Sequence, residues 1–159
     1  MTKIQILATG PELLKRGFRS IEPVTEELIR EADNEIQILA YVLTPEAIHL
    51  LSLLREAAAR GVRITMIINS LDTQHQAIRK ELQTLLSGFP YTKILNFKRR
   101  KGQLHAKLLI ADRKRAVVGS ANFTWMGMYA NYELGLLVEG ETAWELATVV
   151  DFLSAMLDG

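Results

Sequence analysis

Four polar side chains in one short stretch of the sequence have the chemistry of a phosphate site. His105 and Lys107 stand two residues apart, and Ser120 and Asn122 repeat that spacing. Alternate residues of a β-strand point to the same face, so the two side chains of each pair would share a face. An imidazole, an ammonium, a hydroxyl and a carboxamide supply a nucleophile and the donors that hold phosphate oxygens. The pattern therefore predicts a phosphate site.

Two short apolar runs predict the strands that would hold these side chains. Leu108 to Ala111 has the length of a strand, and Ala116 to Val118 is a second, shorter run. Between them, Arg113-Lys114-Arg115 predicts a polar hairpin turn. The four side chains would then converge at one corner of a sheet. Asp112 falls on the opposite parity, and we interpret it as structural, pairing with a nearby hydroxyl, amide or cation.

The complete spacing, His-x-Lys-x4-Asp-x6-Gly-Ser-x-Asn, resembles the HKD motif of the phospholipase D superfamily. The matching residues are His105, Lys107, Asp112, Gly119, Ser120 and Asn122. The resemblance extends to Glu133, where the family places a carboxylate against the motif histidine. It also covers the order of helices and strands along most of the chain. Short chains of this family with a single motif are mainly bacterial endonucleases, so the resemblance implies that activity.

Phosphodiester cleavage needs both a nucleophile and an acid, and this chain carries one suitable histidine. Neutral imidazole is a competent nucleophile and imidazolium a competent acid, but one ring cannot play both parts in the same step. In the family, two motifs meet across a pseudo-twofold axis. The resemblance therefore implies a homodimer in which His105 of one subunit forms a phosphohistidine. The partner's His105 would protonate the leaving group and then activate water.

The resemblance also assigns roles to the other motif residues. Lys107 and Asn122 from both subunits would hold the non-bridging phosphate oxygens. Ser120 would supply a lesser hydrogen bond, to phosphate or within the motif. Glu133 would accept a hydrogen bond from one imidazole nitrogen of His105, which fixes the tautomer and orientation of the ring.

The order of apolar patterns predicts an α/β fold with a mixed β-sheet sandwiched between helices, in a single domain over residues 1–159. Outside the motif hairpin, the patterns predict strands over 4–8, 35–43, 62–68, 91–97 and 132–138. They predict helices after Pro23, from Thr44-Pro45 to Gly61, around 78–88, and over 144–157. Residues 15–22 are predicted as an irregular polar connection.

The composition of the chain limits the chemistry that it can carry out and bears on its location in the cell. The absence of cysteine excludes disulfides, thiolate metal sites and thiol nucleophiles. The formal net charge of +1 gives no global preference for polyanions. We see neither a signal peptide nor a membrane span, and we expect a cytoplasmic protein. No cofactor or metal is expected, because His49 and His75 lack clustered ligand partners in the sequence and are interpreted as surface histidines.

Two further segments carry open alternatives. Lys98-Arg99-Arg100-Lys101 ends four residues before His105. Such a charge run is either a solvated loop or a patch that binds a nucleic-acid backbone, and its place beside a phosphate site favours the patch. An apolar and aromatic group follows Asn122: Phe123, Trp125, Met126, Met128 and Tyr129. It is equally suited to core packing and to a role at the dimer contact or against a base.

Three functions are compatible with these residues. The leading hypothesis is a metal-independent endonuclease that acts on DNA or RNA. A phospholipase or phosphatidyl transferase would use the same chemistry on a lipid, and anionic lipids also attract basic loops. A nucleic-acid binding module without turnover is the third, although the intact set of motif residues argues against it.

Overall fold

The structure, a computed structural model, describes residues 1–158, which form one sheet flanked by helices. The strands are β1 (Lys3–Thr9), β2 (Glu35–Ala40), β3 (Arg63–Asn69), β4 (Thr92–Phe97), β5 (Leu108–Ala111), β6 (Arg115–Gly119) and β7 (Glu133–Glu139). The helices are α1 (Pro11–Lys15), α2 (Ile21–Glu31), α3 (Ile48–Ala59), α4 (Gln76–Gly88) and α5 (Glu141–Asp158). Short 3₁₀ turns cover Pro45–Ala47 and Leu71–Thr73, and a π-helical turn covers Met126–Ala130.

The strand order places the ends of five strands together. The order is β1-β7-β6-β5-β2-β3-β4, with β2, β3 and β4 parallel and the other pairs antiparallel. The register pairs Leu108 with both Leu39 and Val118, and it pairs Gly119 with Gly135. The beginnings of β5 and β7 therefore meet the carboxyl ends of β2, β3 and β6 at one edge. That edge carries the predicted site.

Helices cover both faces of the sheet, which confirms the predicted mixed α/β architecture. On one face α2, α3 and α4 pack against the strands, with Leu28 and Leu54 fully buried. On the other face α5 buries Ala143, Ala147 and Val150 against the sheet. Full burial of each large aliphatic side chain contributes about 1.5 to 3 kcal/mol, so the two layers hold the motif hairpin from both sides. In residues 1–158 the structure contains no helix with the length and apolar character to cross a membrane.

Several predicted boundaries were wrong. Helix α2 begins at Ile21 rather than after Pro23, because proline is tolerated in the first turn, where its missing N–H has no partner. The one-turn helix α1 lies between the predicted strand 4–8 and the predicted irregular connection, where no helix was predicted. Thr44 does not cap a helix with its side chain. A 3₁₀ turn follows it, and α3 begins only at Ile48. Strand β2 ends at Ala40, before the predicted Leu43.

Candidate active site

His105 and Lys107 lie side by side at the entrance to β5. The Nζ atom of Lys107 is 2.8 Å from Nδ1 and 3.3 Å from Nε2 of His105. His105 is exposed, whereas Lys107 is only 8% exposed. Because the two residues have the same parity, they share a face as the sequence predicted. An exposed imidazole is thus backed by a largely buried ammonium.

Tyr41 completes this group, and sequence analysis missed it. Its ring centroid lies 4.5 Å from that of His105, and Lys107 Nζ lies 5.3 Å from the centroid of the tyrosine ring. The contact arises because β2 is paired with β5, so the residue after Ala40 meets the residues before Leu108. An aromatic residue directly after a buried strand was the available signal. The ring packs against both motif side chains.

Burial lowers the pKa of Lys107, and the charge of Glu133 opposes this shift. A buried ammonium is costly unless an anion or hydrogen-bond acceptors compensate its charge. The nearby aromatic face of Tyr41 offers part of that compensation. A phosphate oxygen would offer more, which makes Lys107 suited to bind a phosphodiester.

Ser120 and Glu133 form the second contact of the site. The hydroxyl of Ser120 donates to Oε2 of Glu133 at 2.6 Å and accepts from the backbone N–H of Leu134 at 3.1 Å. Asn131 Nδ2 donates to the other oxygen of Glu133 at 3.4 Å. The resemblance implies that Glu133 accepts from His105, and in the part of the chain that the structure describes no hydrogen bond joins these two residues. The carboxylate is held instead by Ser120 and Asn131, and its charge acts on Lys107.

Gly119 allows β6 and β7 to approach closely beside Ser120. A Cβ atom at this position would lie 2.6 Å from Cα of Gly135 and would also collide with the carbonyl oxygen of Leu134. The glycine of the motif is therefore required by packing rather than by an unusual φ. It sets the position of the serine that follows it.

Asn122 is held by its backbone just beyond the end of β6. The next residue, Phe123, bridges to Leu43, and Gly127 of the π-helical turn packs against the Asn122 backbone. Within residues 1–158 the buried side-chain oxygen of Asn122 has no hydrogen-bond partner. Unsatisfied buried acceptors are uncommon, and they occur at functional sites. The Asn122 backbone lies at the sheet edge that carries His105, and in the described chain its carboxamide is bonded to neither His105 nor Lys107.

Asp112 anchors the motif hairpin from the far end. Its carboxylate accepts backbone N–H groups of Asp33, Asn34 and Glu35 at 2.9, 2.7 and 2.9 Å. Burial would raise the pKa of Asp112, but these three hydrogen bonds outweigh burial and lower it. Asp112 and Arg113 have φ of 54° and 56°, values typical of a type I′ hairpin turn. Asp112 thus ties the hairpin to the start of β2, away from His105.

The four residues of the basic loop, Lys98 to Lys101, are all exposed. Lys98 donates to Asp72 at 2.7 Å, so part of its charge is already neutralised. The guanidinium of Arg99 lies 5.9 Å from the ring centroid of Phe97. In the described chain, ion pairs are found for Lys98 but not for the other three cations of the loop. Their charge therefore faces solvent close to the residues that precede His105.

The aromatic segment after Asn122 divides between the two interpretations. Phe123 and Met128 are buried in the core. Trp125, Met126 and Tyr129 are each about half exposed, and the rings of Trp125 and Tyr129 lie 6.4 Å apart. The first pair supports core packing. The other three remain available for a partner or a substrate.

His49 has carboxylate neighbours that sequence analysis did not find. Glu22 and Glu26, one turn apart on α2, approach His49 on α3, and one ligand atom from each lies within 4.8 Å of the others. Burial and the charge of Glu26 raise the pKa of Glu22. The separation of α2 and α3 in sequence concealed this group. His75, in contrast, caps α4, because its Nδ1 accepts from the N–H of Ala77 at 3.1 Å.

Similarity to known proteins covers most of the chain. The DISARM protein DrmC of Bacillus paralicheniformis is 29% identical over 145 residues, and cardiolipin synthase A of Buchnera aphidicola is 27% identical over 136 residues. These alignments cover 88% and 86% of this chain but only 58% and 27% of those proteins. The chain thus spans a little over half and about a quarter of these relatives.

Two solved structures share the fold from end to end. NucT from Helicobacter pylori superposes with a TM-score of 0.73 at 20% identity, covering 95% of this chain and 94% of that one. Nuc from Salmonella typhimurium, a phospholipase D family member, gives 0.73 at 23% identity, with 99% and 93% covered. Residues 26–151 also match the family described as cardiolipin synthase, PLD-like domain. Because that match includes the motif hairpin and most of the chain, the protein belongs to the phospholipase D superfamily.

Proposed function

We propose that the protein is a metal-independent phosphodiesterase that cleaves nucleic acid in an active site shared by two copies of the chain. The observation that carries this proposal is the contact between the exposed imidazole of His105 and the buried ammonium of Lys107. It joins a nucleophile to a phosphate-binding cation in one subunit. It leaves the second histidine, which the leaving group requires, to a partner.

The reaction would proceed in two displacements. In the first, a ring nitrogen of His105 attacks phosphorus, the bond to the leaving oxygen breaks, and the partner's His105 donates a proton to that oxygen. In the second, the partner's His105 accepts a proton from water, the water oxygen attacks phosphorus, and the phosphorus–nitrogen bond breaks. Both steps pass through charge on the non-bridging oxygens, which Lys107 and Asn122 would stabilise. Ser120 would hold Glu133 in place through their hydrogen bond.

Nucleic acid is the substrate class that the surface around the site favours. The exposed basic loop, Lys98 to Lys101, lies in the segment that leads to His105 and suits the phosphates on either side of the scissile one. The exposed rings of Trp125 and Tyr129 follow Asn122 and suit stacking against bases.

A lipid substrate is the second candidate, and one observation favours it. An apolar groove of about 590 Å³ borders Gly119, and its lining includes Ile6, Phe18, Leu134 and Leu136. A groove of this character would accept an acyl chain. The same histidine chemistry would then act as a phospholipase or phosphatidyl transferase. A binding module without turnover is the third candidate.

One comparison separates the three functions. The purified protein would be incubated with plasmid DNA, with RNA, and with vesicles of phosphatidylcholine or phosphatidylglycerol, all in EDTA. We expect cleavage of nucleic acid and no release of the lipid headgroup, and we expect His105→Ala to abolish the cleavage. Headgroup release without nucleic-acid cleavage would establish the lipid function. Binding of nucleic acid without cleavage of any substrate would establish the module.

A further inference from the structure

A polar cleft of about 270 Å³ opens next to the site at the carboxyl ends of β2 and β3. Its lining residues include Tyr41, Asn69, Ser70, Thr73, Gln74 and Gln103. We call it the Tyr41 cleft. Ligands of open α/β sheets bind outside the carboxyl ends of parallel strands, so the cleft has the position of a ligand site. Its volume approaches the lower end of the range for small-molecule pockets, about 300 Å³.

Three segments form the wall of the Tyr41 cleft, at residues 41–43, 69–74 and 103–104, and buried side-chain amides join them into a rigid wall. Nε2 of Gln74 donates to the carbonyl oxygens of Tyr41 and Asn69 at 3.0 and 2.8 Å, and its Oε1 accepts from the N–H of Leu43 at 3.1 Å. Oδ1 of Asn69 accepts from the N–H of Leu104 at 2.9 Å. Gln74 and Asn69 are 8% and 6% exposed. Satisfied buried amides of this kind fix a unique geometry, here one that includes the residue before His105.

Tyr41 connects the cleft to the reacting group. Its ring packs against His105 and also lines the cleft. A ligand in the cleft would therefore contact the same tyrosine ring that contacts His105. Ser70, at the floor of the cleft, has left-handed backbone angles of φ 45° and ψ 58°. Residues other than glycine adopt this conformation rarely, in tight turns and at functional sites.

The lining of the Tyr41 cleft has the chemistry of a base-binding site rather than of a phosphate site. Gln103 and Thr73 are exposed. The amide of Gln103 can donate and accept hydrogen bonds, whereas the hydroxyl of Thr73 donates to the carbonyl oxygen of Ser70 at 2.9 Å and can accept one from a ligand. Among the residues that line the cleft in the described chain, none carries a charge. The cations lie instead in the basic loop, which ends two residues before Gln103. Neutral amides read base edges and aromatic rings stack on base faces, whereas an acyl chain would require an apolar lining.

We propose that the Tyr41 cleft binds the nucleobase of a nucleotide that flanks the scissile phosphate. Tyr41 would stack against the base, and Gln103 and Thr73 would hydrogen-bond its edge. The inference rests on the proposed function, since it assigns the substrate of the same site. It makes Tyr41 both a positioning residue for His105 and a contact of the base.

Three substrates with the same leaving group test this assignment. Methyl p-nitrophenyl phosphate carries no base, whereas the p-nitrophenyl esters of thymidine 3′-phosphate and thymidine 5′-phosphate carry one on either side of phosphorus. For the wild-type protein we expect kcat/KM for at least one thymidine ester to exceed that for the methyl ester by about tenfold. This corresponds to the contribution of one stacked base. We expect the Gln103→Ala, Thr73→Val double variant to bring this ratio close to one.

Tyr41 and a distant residue provide matched controls. Tyr41→Phe keeps the stacking face and should keep the ratio, whereas Tyr41→Ala should lower it. Gln83→Ala, in a pocket lined by α4 and β4 residues, should leave the ratio and kcat/KM for all three esters at wild-type values. Thr73→Val removes the hydrogen bond from Thr73 to the carbonyl oxygen of Ser70, so thermal melting would be compared for all variants. Gln103→Ala alone is exposed and removes no such bond, and it should lower the ratio in the same direction at wild-type stability.

The outcomes distinguish this inference from the proposed function. Hydrolysis of all three esters with equal kcat/KM, or a ratio that the double variant leaves unchanged, would overturn the base-binding role while the phosphodiesterase stands. Hydrolysis of none of the esters, together with headgroup release from phosphatidylglycerol vesicles, would overturn both. A ratio that falls in the double variant but not in Gln83→Ala would support the assignment.

Discussion

The ammonium of Lys107 lies 2.8 Å from Nδ1 of His105, so the two motif side chains share a hydrogen bond before any phosphate is involved. A protonated lysine can only donate hydrogen bonds, and the Lys107 nitrogen is also only 3.3 Å from Nε2, so the ammonium lies against the imidazole ring. Phosphate oxygens and the imidazole therefore compete for the same ammonium. We expect substrate binding to turn Lys107 toward phosphate and to free the imidazole of His105 for attack.

Lys107→Met tests this competition. The substitution keeps most of the side-chain volume and removes the charge, so we expect kcat to fall by about 10²- to 10³-fold, as for the loss of one transition-state donor. Thermal stability should stay the same or rise, because burial of the ammonium is itself costly. Lys114→Met, at the exposed hairpin turn, is the control and should be fully active. Wild-type kcat in Lys107→Met would exclude a role for the ammonium in the chemical step.

Asp112 should contribute to stability in a manner that depends on pH. Its folded-state pKa is lowered, so the stabilisation is complete above the unfolded-state value of about 3.9 and is lost as pH falls through the folded-state pKa. At neutral pH we expect Asp112→Asn to lower the free energy of unfolding by about 1.5 to 3 kcal/mol, since hydrogen bonds to a charged acceptor weaken. Denaturant titrations at several pH values would measure this. The difference between wild type and Asp112→Asn should shrink below about pH 4.

The control for this prediction is Asp33→Asn, an exposed carboxylate beside the same turn. It should change stability by less than about 0.5 kcal/mol. The difference in the free energy of unfolding between wild type and Asp112→Asn could instead be constant from about pH 3 to pH 7, an interval that includes the ordinary pKa of aspartate. That result would contradict a lowered pKa for Asp112.

Local sequence pattern predicted what lies on one strand and missed what depends on pairing between strands. Parity correctly placed His105 and Lys107 together and Asp112 apart, because side-chain direction is a property of the strand itself. The contact of Glu133 with Ser120 depends on the pairing of β6 with β7, which no local pattern encodes. The contact of Tyr41 with His105 depends in the same way on the β2–β5 pair.

The helix boundaries failed for a different reason. A one-turn helix such as α1 has too few residues to show periodicity, and its five residues bury no side chain. The group of Glu22, Glu26 and His49 joins two helices that are separated by β2. Its members became neighbours only through packing of α2 against α3.

The basic loop should contribute to binding through three of its four cations. We expect Arg99→Ala, Arg100→Ala, Lys101→Ala together to weaken nucleic-acid binding and to flatten its dependence on salt. The slope of log K against log salt should fall by roughly 0.7 to 0.9 for each lost phosphate contact. Lys98→Ala should have a smaller effect, because Lys98 is paired with Asp72. Fluorescence anisotropy at several salt concentrations would measure both, with Lys80→Ala on α4 as the control. An unchanged slope in the triple variant would mean that the loop is only solvated.

Phosphodiesterase activity should survive chelation, because in the proposed mechanism Lys107 and Asn122 would take the place of a metal at the phosphate oxygens. The one group of possible metal ligands found in residues 1–158 is Glu22, Glu26 and His49, which contains no motif residue. We therefore expect full activity in EDTA and in the double variant Glu26→Gln, His49→Ala. Loss of activity in EDTA that magnesium or zinc restores would count against the proposed mechanism.

The proposed shared active site requires a dimer whose activity depends on both copies of His105. Sedimentation at micromolar concentration should give about twice the chain mass of 17.9 kDa. His105→Ala homodimers should be folded and inactive, since the residue is exposed at a strand entrance and its loss leaves no cavity. A monomeric wild-type protein with full activity would contradict the shared site.

Mixed dimers, with one wild-type and one His105→Ala subunit, separate a shared site from two independent ones. They retain a nucleophile but lack the imidazole that protonates the leaving oxygen, so cleavage of an ordinary phosphodiester should fall about 10²- to 10⁴-fold. The p-nitrophenolate of an activated ester leaves without a proton, so the mixed dimer should still form a phosphohistidine from that substrate. Its hydrolysis should be slow, because the missing histidine is also the base for water. With substrate labelled on phosphorus, we expect acid-labile, base-stable label on the wild-type subunit alone. Half of wild-type activity in the mixed dimer would show instead that each subunit carries a complete site.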